Sequence, residues 1–271
     1  RFDGTLQIYN SKGHHVKSRE IEGRAGIVAS RPNGGFVVGS IEGHLSAFDY
    51  NGEHSWTHKV GGGVEDLKAA SGSIACLDGS GTVHLLDING KEKANIKIDG
   101  AETIVFDDNG RAFAVINSDG SVRLFSPDGE MMLEREPRND RGERITAACF
   151  DSSGHLVIAR ETLGLANQGE DEVEIEWWTP LGERVDIQGL NTRCTHLSAY
   201  FTGILAGTFE GEVFIMSRNQ EKVDLWKSPY SINSLTSLGK DVLVASWFYL
   251  YRIRSPDSKG GDDEPIWQVE H

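Results

Sequence analysis

Apolar and polar positions alternate along the chain in short bursts, and the bursts recur. In "GTVHLLDING" (81–90) a Gly-Thr pair opens a strand-like alternation that Asp-x-x-Gly closes. Relatives of this stretch are "GTLQIYNSKG" (4–13), "GHLSAFDYNG" (43–52) and "GSVRLFSPDG" (120–129). Weaker copies are "VEIEWWTPLG" (173–182), "GEVFIMSRNQ" (211–220) and "WFYLYRIRSPD" (247–257). One matching apolar position in each is Leu6, Leu45, Val83, Val122, Ile175, Val213 and Tyr251. The steps between them are 39, 38, 39, 53, 38 and 38 residues. A near-constant period of this length marks a repeat architecture.

Residues 101–137 show what one unit contains. "ETIVF", "RAFAVIN", "SVRLF" and "EMMLERE" read as four strands, separated by "DDNG", "SDG" and "SPDG". Asp-Gly and Asn-Gly reach left-handed turn conformations cheaply. No stretch reads as a long helix. A four-stranded unit of this size cannot hide both faces by itself, and equal units are what radial packing of blades requires. The third strands carry apolar residues on both faces, as in Val83, Leu85 and Leu86, ready to meet a neighbour on each side.

The expected fold is therefore an all-β propeller of four-stranded blades in a single domain over 1–271, incomplete at a terminus. The blades fall at 23–60, 61–99, 100–137, 138–188, 189–227 and 228–271. Residues 1–22 supply a half blade, a third and a fourth strand only. First strands are expected at 26–30, 65–69, 102–106, 145–150, 194–199 and 232–237. A seven-bladed count is favoured. The rival is a six-bladed count in which 1–22 completes the last blade. The chain starts "RFDGTLQIYN", without Met or a signal peptide, and reads as a piece whose start is missing.

The repeats resemble those of the WD-repeat and quinoprotein-like propeller families. "FDDNGRAFAVINSDGSVRLFSPDG" (106–129) is similar to a WD unit, but Ser126 replaces the expected aspartate and no Gly-His dipeptide separates the blades. The hydrogen-bond network of that family is therefore not carried over. "AFDYNGEHSW" (47–56) resembles the quinoprotein docking motif, with Ala47, Asp49, Gly52 and Trp56 in place and one residue fewer. The resemblance implies that Trp56 lies flat over a turn of the neighbouring blade. One propeller fold carries many functions, so function must be sought in sites.

Composition narrows the choice. The formal charge is −14, from 27 Lys and Arg against 41 Asp and Glu. This disfavours general binding to nucleic acid or an anionic membrane and favours a protein partner with a basic surface, or simply solubility. No apolar window is long enough for a membrane-spanning helix. Cys76, Cys149 and Cys194 form no disulfide pattern and read as small core residues. They point to a reducing, cytoplasmic setting. No cofactor or metal is expected. "VGGGVED" (60–66) lacks the lysine of a phosphate loop, and "DDNG" lacks the spacing of a calcium loop. His14 and His15 read as surface residues.

The insertion behind the 53-residue step, "ETLGLANQGEDE" (161–172), lies between a second and a third strand. Long loops on a regular scaffold are where binding concentrates. Leu163 and Leu165 offer an apolar anchor, and Glu170, Asp171, Glu172, Glu174 and Glu176 make the region acidic. The connection "PRNDRGER" (137–144) brings Arg138, Arg141 and Arg144 to the same face. These loops either pair with each other or present a mixed-charge hot spot. Asp3, Glu42, Asp78, Asp119 and Glu210 precede third strands. Turn chemistry is a sufficient reason for the Asp members, but Glu42 and Glu210 are poorer turn formers, so the ring also reads as a negatively charged binding face with Glu42, Asp119 and Glu210 as candidates.

The expected function is a non-enzymatic protein-interaction platform within a larger protein or complex. The alternative is an enzyme or small-ligand sensor that uses a central channel, with Arg24, Glu65, Glu102, Arg193 and His196 near first-strand starts as its candidates. A purely structural propeller is a third reading.

Overall fold

The computed structural model describes residues 4–9, 14–32, 34–138, 141–201, 203–220, 222–254, 265 and 267–270. It is an all-β propeller of seven antiparallel sheets, six with four strands and one with two. Asp3 and the Ser-Pro-Asp ending at 255–257 lie outside the described residues. The chain divides into two compact units, Arg1–Glu134 and Arg135–His271.

In the first unit, blade 1 is the pair β1 (Thr5–Tyr9) and β2 (His15–Glu20). Blade 2 holds β3 (Ala25–Ser30), β4 (Phe36–Ser40), β5 (His44–Phe48) and β6 (His54–Lys59). Blade 3 holds β7 (Val64–Ala70), β8 (Ser73–Asp78), β9 (Thr82–Asp87) and β10 (Glu92–Lys97). Blade 4 holds β11 (Ala101–Phe106), β12 (Phe113–Asn117), β13 (Val122–Phe125) and β14 (Met131–Arg135), the last ending at the division between units.

In the second unit, blade 5 holds β15 (Glu143–Phe150), β16 (Leu156–Thr162), β17 (Val173–Trp178) and β18 (Arg184–Leu190). Blade 6 holds β19 (Cys194–Tyr200), β20 (Gly203–Thr208), β21 (Glu212–Met216) and β22 (Val223–Lys227). Blade 7 holds β23 (Ile232–Leu238), β24 (Asp241–Ser246), β25 (Tyr249–Ile253) and β26 (Trp267–Glu270). In every four-stranded sheet, strands follow one another in chain order.

The packing explains the sequence pattern. Val83, Leu85 and Leu86 on β9 are all fully buried. Val83 and Leu85 join the cluster around Phe113 and Ile104, while Leu86 joins the one around Leu45 and Val37. One third strand thus feeds two cores, as a blade with a neighbour on each face must. In the second unit Ile175 and Trp177 of β17 pack with Phe214 and Ile204, and Val213 packs with Val242 and Tyr251.

All six first strands fall where the apolar pattern puts them, but each carries a feature the pattern does not show. The register shifts after the opening residue at Ala25/Ile27, Val64/Asp66, Ala101/Thr103, Cys194/His196 and Ile232/Ser234, and after the third residue of β15 at Ile145/Ala147. The extra residues are Gly26, Glu65, Glu102, Thr146, Thr195 and Asn233. A bulge bends its strand and increases local twist, so its return in each blade keeps the first strands alike.

Neighbouring blades are also stitched by polar contacts. The Asp66 carboxylate accepts the Ile104 amide at 2.7 Å and the Thr103 hydroxyl at 2.6 Å, joining blades 3 and 4. The Thr195 hydroxyl donates to the Ile232 carbonyl at 2.6 Å, joining blades 6 and 7. Trp56 lies on the Asp87–Gly90 turn of blade 3, and its indole N–H donates to the Ile88 carbonyl at 3.1 Å. A Cβ on Gly90, whose φ is 81°, would sit 2.6 Å from the indole ring. The expected Trp56 docking is therefore present in geometry. Ile8 of β1 lies against Gly52 one blade earlier, and Ile96 of β10 against Gly129 one blade later.

Candidate functional site

The two loops singled out in blade 5 are held together by buried charge. On β17, Glu174 and Glu176 alternate with Ile175 and Trp177, so one face of the strand is carboxylate and the other apolar. Arg160 of β16 stands opposite Glu174 in the ladder and is wholly buried. Its Nε donates to Glu176 at 3.2 Å and its Nη2 donates to Glu174. The carboxylates of Glu143 and Glu170 lie 3.6 and 3.7 Å away.

Two more arginines enter, Arg135 from the end of β14 and Arg138 from the connection before β15. Arg138 donates to Glu174 and Glu170, both at 2.9 Å, and to Glu176. Arg135 donates to Glu143 and, at 3.3 Å, to Glu176, with its guanidinium 5.7 Å over the Trp178 ring. The Trp178 indole N–H donates to Glu176 at 2.7 Å. Burial alone pushes the Glu176 carboxyl up, but Arg135, Arg138 and Trp178 outweigh it and hold the carboxyl below its usual range. Burial likewise opposes the charge on Arg138, and Glu176 with Glu174 raises its pKa instead. This arrangement is a pinning device: the charges of Arg138 and Glu170 meet each other inside the protein.

What remains outward at the insertion is a mixture of apolar and charged side chains. Leu163 is 52% exposed and Leu165 68%, and Arg141, Arg144, Asp171 and Glu172 are exposed as well. The main chain of the loop is tied down by Thr162 N–H to the Glu172 carbonyl (2.9 Å) and Leu163 N–H to the Gly142 carbonyl (3.0 Å). The Asp171 amide donates to Glu174 at 3.1 Å.

The other acidic candidates separate by role. Glu42 accepts the Arg24 side chain at 2.8 Å and the Arg24 amide at 2.7 Å, which hold its carboxyl low. Asp119 accepts the Ser121 hydroxyl at 2.7 Å and the Ser121 amide at 2.8 Å, and its carboxyl is lowered by them. Asp119 therefore serves its own turn, and Glu42 ties its turn to the connection before β3. Glu210 is different: it is exposed, and no cation among the described residues pairs with it.

Glu210 lines a recess of about 320 Å³ together with Phe209, Pro229, Tyr230, Ser231, Trp247 and Phe248. Phe209 is 53% exposed, Trp247 63% and Phe248 51%. The Tyr230 ring meets Phe248 edge-on, with centroids 5.3 Å apart at 76°, and stacks on Tyr249 at 5.8 Å and 29°. The recess is built from two turns between second and third strands and one connection between blades. Those turns elsewhere read "SIEG", "DGSG" and "NSDG", and here "TFEG" and "SWFY". In blade 7 Tyr249 takes the place of a glycine that has positive φ in the other four, and aromatic rings occupy the tip. Departure from the turn consensus was the available sequence signal.

The candidates for channel chemistry stand as follows. Arg24 pairs with Glu42. Glu65 and Glu102 are bulge residues. The Arg193 guanidinium lies 3.6 Å from Glu161 and 5.0 Å over the Phe209 ring. His196 directly follows the bulge residue of β19. Cys76 and Cys194 are buried, and burial pushes both thiols up to about 12. Among the described residues no group of three or more His, Cys, Asp or Glu side chains is placed to hold a metal ion. Among the described residues no helix is long and apolar enough to cross a membrane.

No family model matches the chain, and no curated protein matches it in sequence. Solved structures do match it in shape. The computationally designed protein Ika8 is 16% identical, with a TM-score of 0.74 over 99% of this chain and 81% of that one. BamB from Moraxella catarrhalis is 15% identical, with a TM-score of 0.64 over 100% of this chain and 83% of that one. At these identities the likeness is one of fold: the chain is built as a β-propeller.

Proposed function

We propose that the chain is a non-enzymatic docking platform for a protein partner with a basic surface, acting within a larger protein or complex. The observation that carries this reading is the large apolar side chains at the tips of strand connections in the second unit. Leu163, Leu165, Phe209, Trp247 and Phe248 all stand more than half exposed. Scattered exposed apolar residues mean little, but clustered aromatic rings on loops of a rigid scaffold mark interaction sites. The formal charge of −14 supports the basic partner through complementarity and steering. Trp56 on the Gly90 turn supports a quinoprotein-like rather than a WD-repeat arrangement of blades. The three cysteines form no disulfide, which supports a reducing, cytoplasmic setting.

Affinity capture from native extract tests the reading. The double variants Leu163→Ser/Leu165→Ser and Trp247→Ser/Phe248→Ser should lose partners while keeping the far-ultraviolet circular dichroism of the parent. Retention of every partner by both variants would overturn it. Arg138 is unsuitable for such a test, because its replacement disturbs the buried charge of blade 5.

A further inference from the structure

The aromatic recess of blades 6 and 7 also says something about the chemistry of its occupant. Its walls are ring faces and edges set at a steep angle, and its one charged member is the Glu210 carboxylate. The nearby cation, Arg193, stacks on Phe209 and is already faced by Glu161. The negative charge of Glu210 is therefore left for a guest. The chain itself twice sets a guanidinium over a ring beside a carboxylate: Arg193 with Phe209 and Glu161, and Arg135 with Trp178 and Glu176. A guanidinium suits such a place better than an ammonium, because it is planar, weakly hydrated and able to stack while donating sideways to a carboxylate.

We propose that the recess lined by Phe209, Tyr230, Trp247 and Phe248, with Glu210 at its edge, receives an arginine side chain from an extended segment of a partner protein. This rests on the docking reading and names the side chain that the docking surface selects. Trp247 and Phe248 supply stacking area, and Glu210 accepts from the guanidinium.

The test is a nuclear magnetic resonance titration that follows the Trp247 indole N–H, assigned with Trp247→Phe. The probes are a synthetic Ser-Gly-Arg-Gly-Ser peptide and its citrulline and lysine counterparts. Citrulline keeps the shape of arginine and removes the charge. The arginine peptide should shift the Trp247 signal saturably, and citrulline should bind about tenfold more weakly. Glu210→Gln should weaken the arginine peptide several-fold and leave citrulline unchanged. Equal binding of arginine and citrulline, equal binding of lysine, or no Trp247 shift overturns the proposal. So does a dimer in analytical ultracentrifugation that Trp247→Ser abolishes, since a second copy would then occupy the recess. Partner capture separates the two readings. If capture still depends on Leu163 and Leu165 while the titration fails, the platform stands and the arginine recess falls. If no variant changes capture, the platform reading falls whatever the peptides do.

Discussion

Replacing Arg160 with methionine removes one charge from the interior of blade 5 while keeping a long side chain. In the parent, Arg160 faces Glu174 and Glu176 directly and Glu143 and Glu170 at slightly greater range. After Arg160→Met these four carboxylates share Arg135 and Arg138, with Arg184 3.9 Å from Glu176 at the more exposed edge. Breaking a buried ion pair from one side costs about 3–5 kcal/mol, because the partner charge stays desolvated. We therefore expect a loss of that order at neutral pH, measured by urea titration with circular dichroism. The pH dependence identifies the cause. The Glu176 carboxyl is held low in the fold, so its contribution is present above the unfolded carboxylate pKa and is lost as pH falls through the lower folded value. With Arg160 gone Glu176 loses one direct donor, the Nε hydrogen bond at 3.2 Å. The gap between parent and variant should then be widest near neutrality and narrow below about pH 4, where unfolded glutamates take up protons. Adding Glu174→Gln to Arg160→Met should recover part of the loss, which a double-mutant cycle measures. A loss under about 1 kcal/mol at neutral pH, or a gap that widens in acid, would refute the reasoning.

Three further outcomes are expected. Gly90→Ala should destabilise the first unit by more than about 1 kcal/mol in thermal or urea unfolding, because it combines a left-handed φ with a clash against Trp56. Asp78→Asn should cost about 1–3 kcal/mol, since the carboxylate accepts from the Ser80 hydroxyl (2.6 Å) and from the Ser80 and Thr82 amides, with His84 Nε2 at 2.9 Å. Burial pushes that carboxyl up, but these partners bring it down to about 2. The parent should therefore lose this contribution between the unfolded aspartate value near 4 and about pH 2, and the variant should show a flatter acid profile. Cys76 and Cys194 should resist a thiol reagent in the native protein and react once urea unfolds it, as followed by absorbance; prompt native labelling would contradict their burial.

The repeat was legible because third strands are buried on both faces, and a strand such as Val83–Leu86 cannot disguise two apolar sides. The first strands were legible for a similar reason, but their bulges were not. Glu65, Glu102 and Thr195 are unremarkable letters, and an extra residue shows only when two strands are paired. Blade 5 was read by half. "VEIEWW" has the alternation of a strand with one wet face, and the acidic side of β17 looked like surface. It is buried because Arg135 and Arg138 arrive from one stretch and Arg160 from another. Local pattern carries no record of such convergence. The aromatic recess escaped for the same reason, since Phe209, Tyr230 and Trp247 are brought together only by the stacking of blades 6 and 7. Both departures from the turn consensus were visible as letters, but their meaning depended on that neighbourhood.

The clasp formed by Arg138 and Arg160 on Glu170 also matters for association. A surface loop usually surrenders conformational freedom when a partner settles on it, and that entropy loss subtracts from affinity. Here the base of the insertion is immobilised during folding, so Leu163 and Leu165 are presented on a stalk whose freedom is already gone. Loosening the clasp would then weaken association with the leucines themselves untouched.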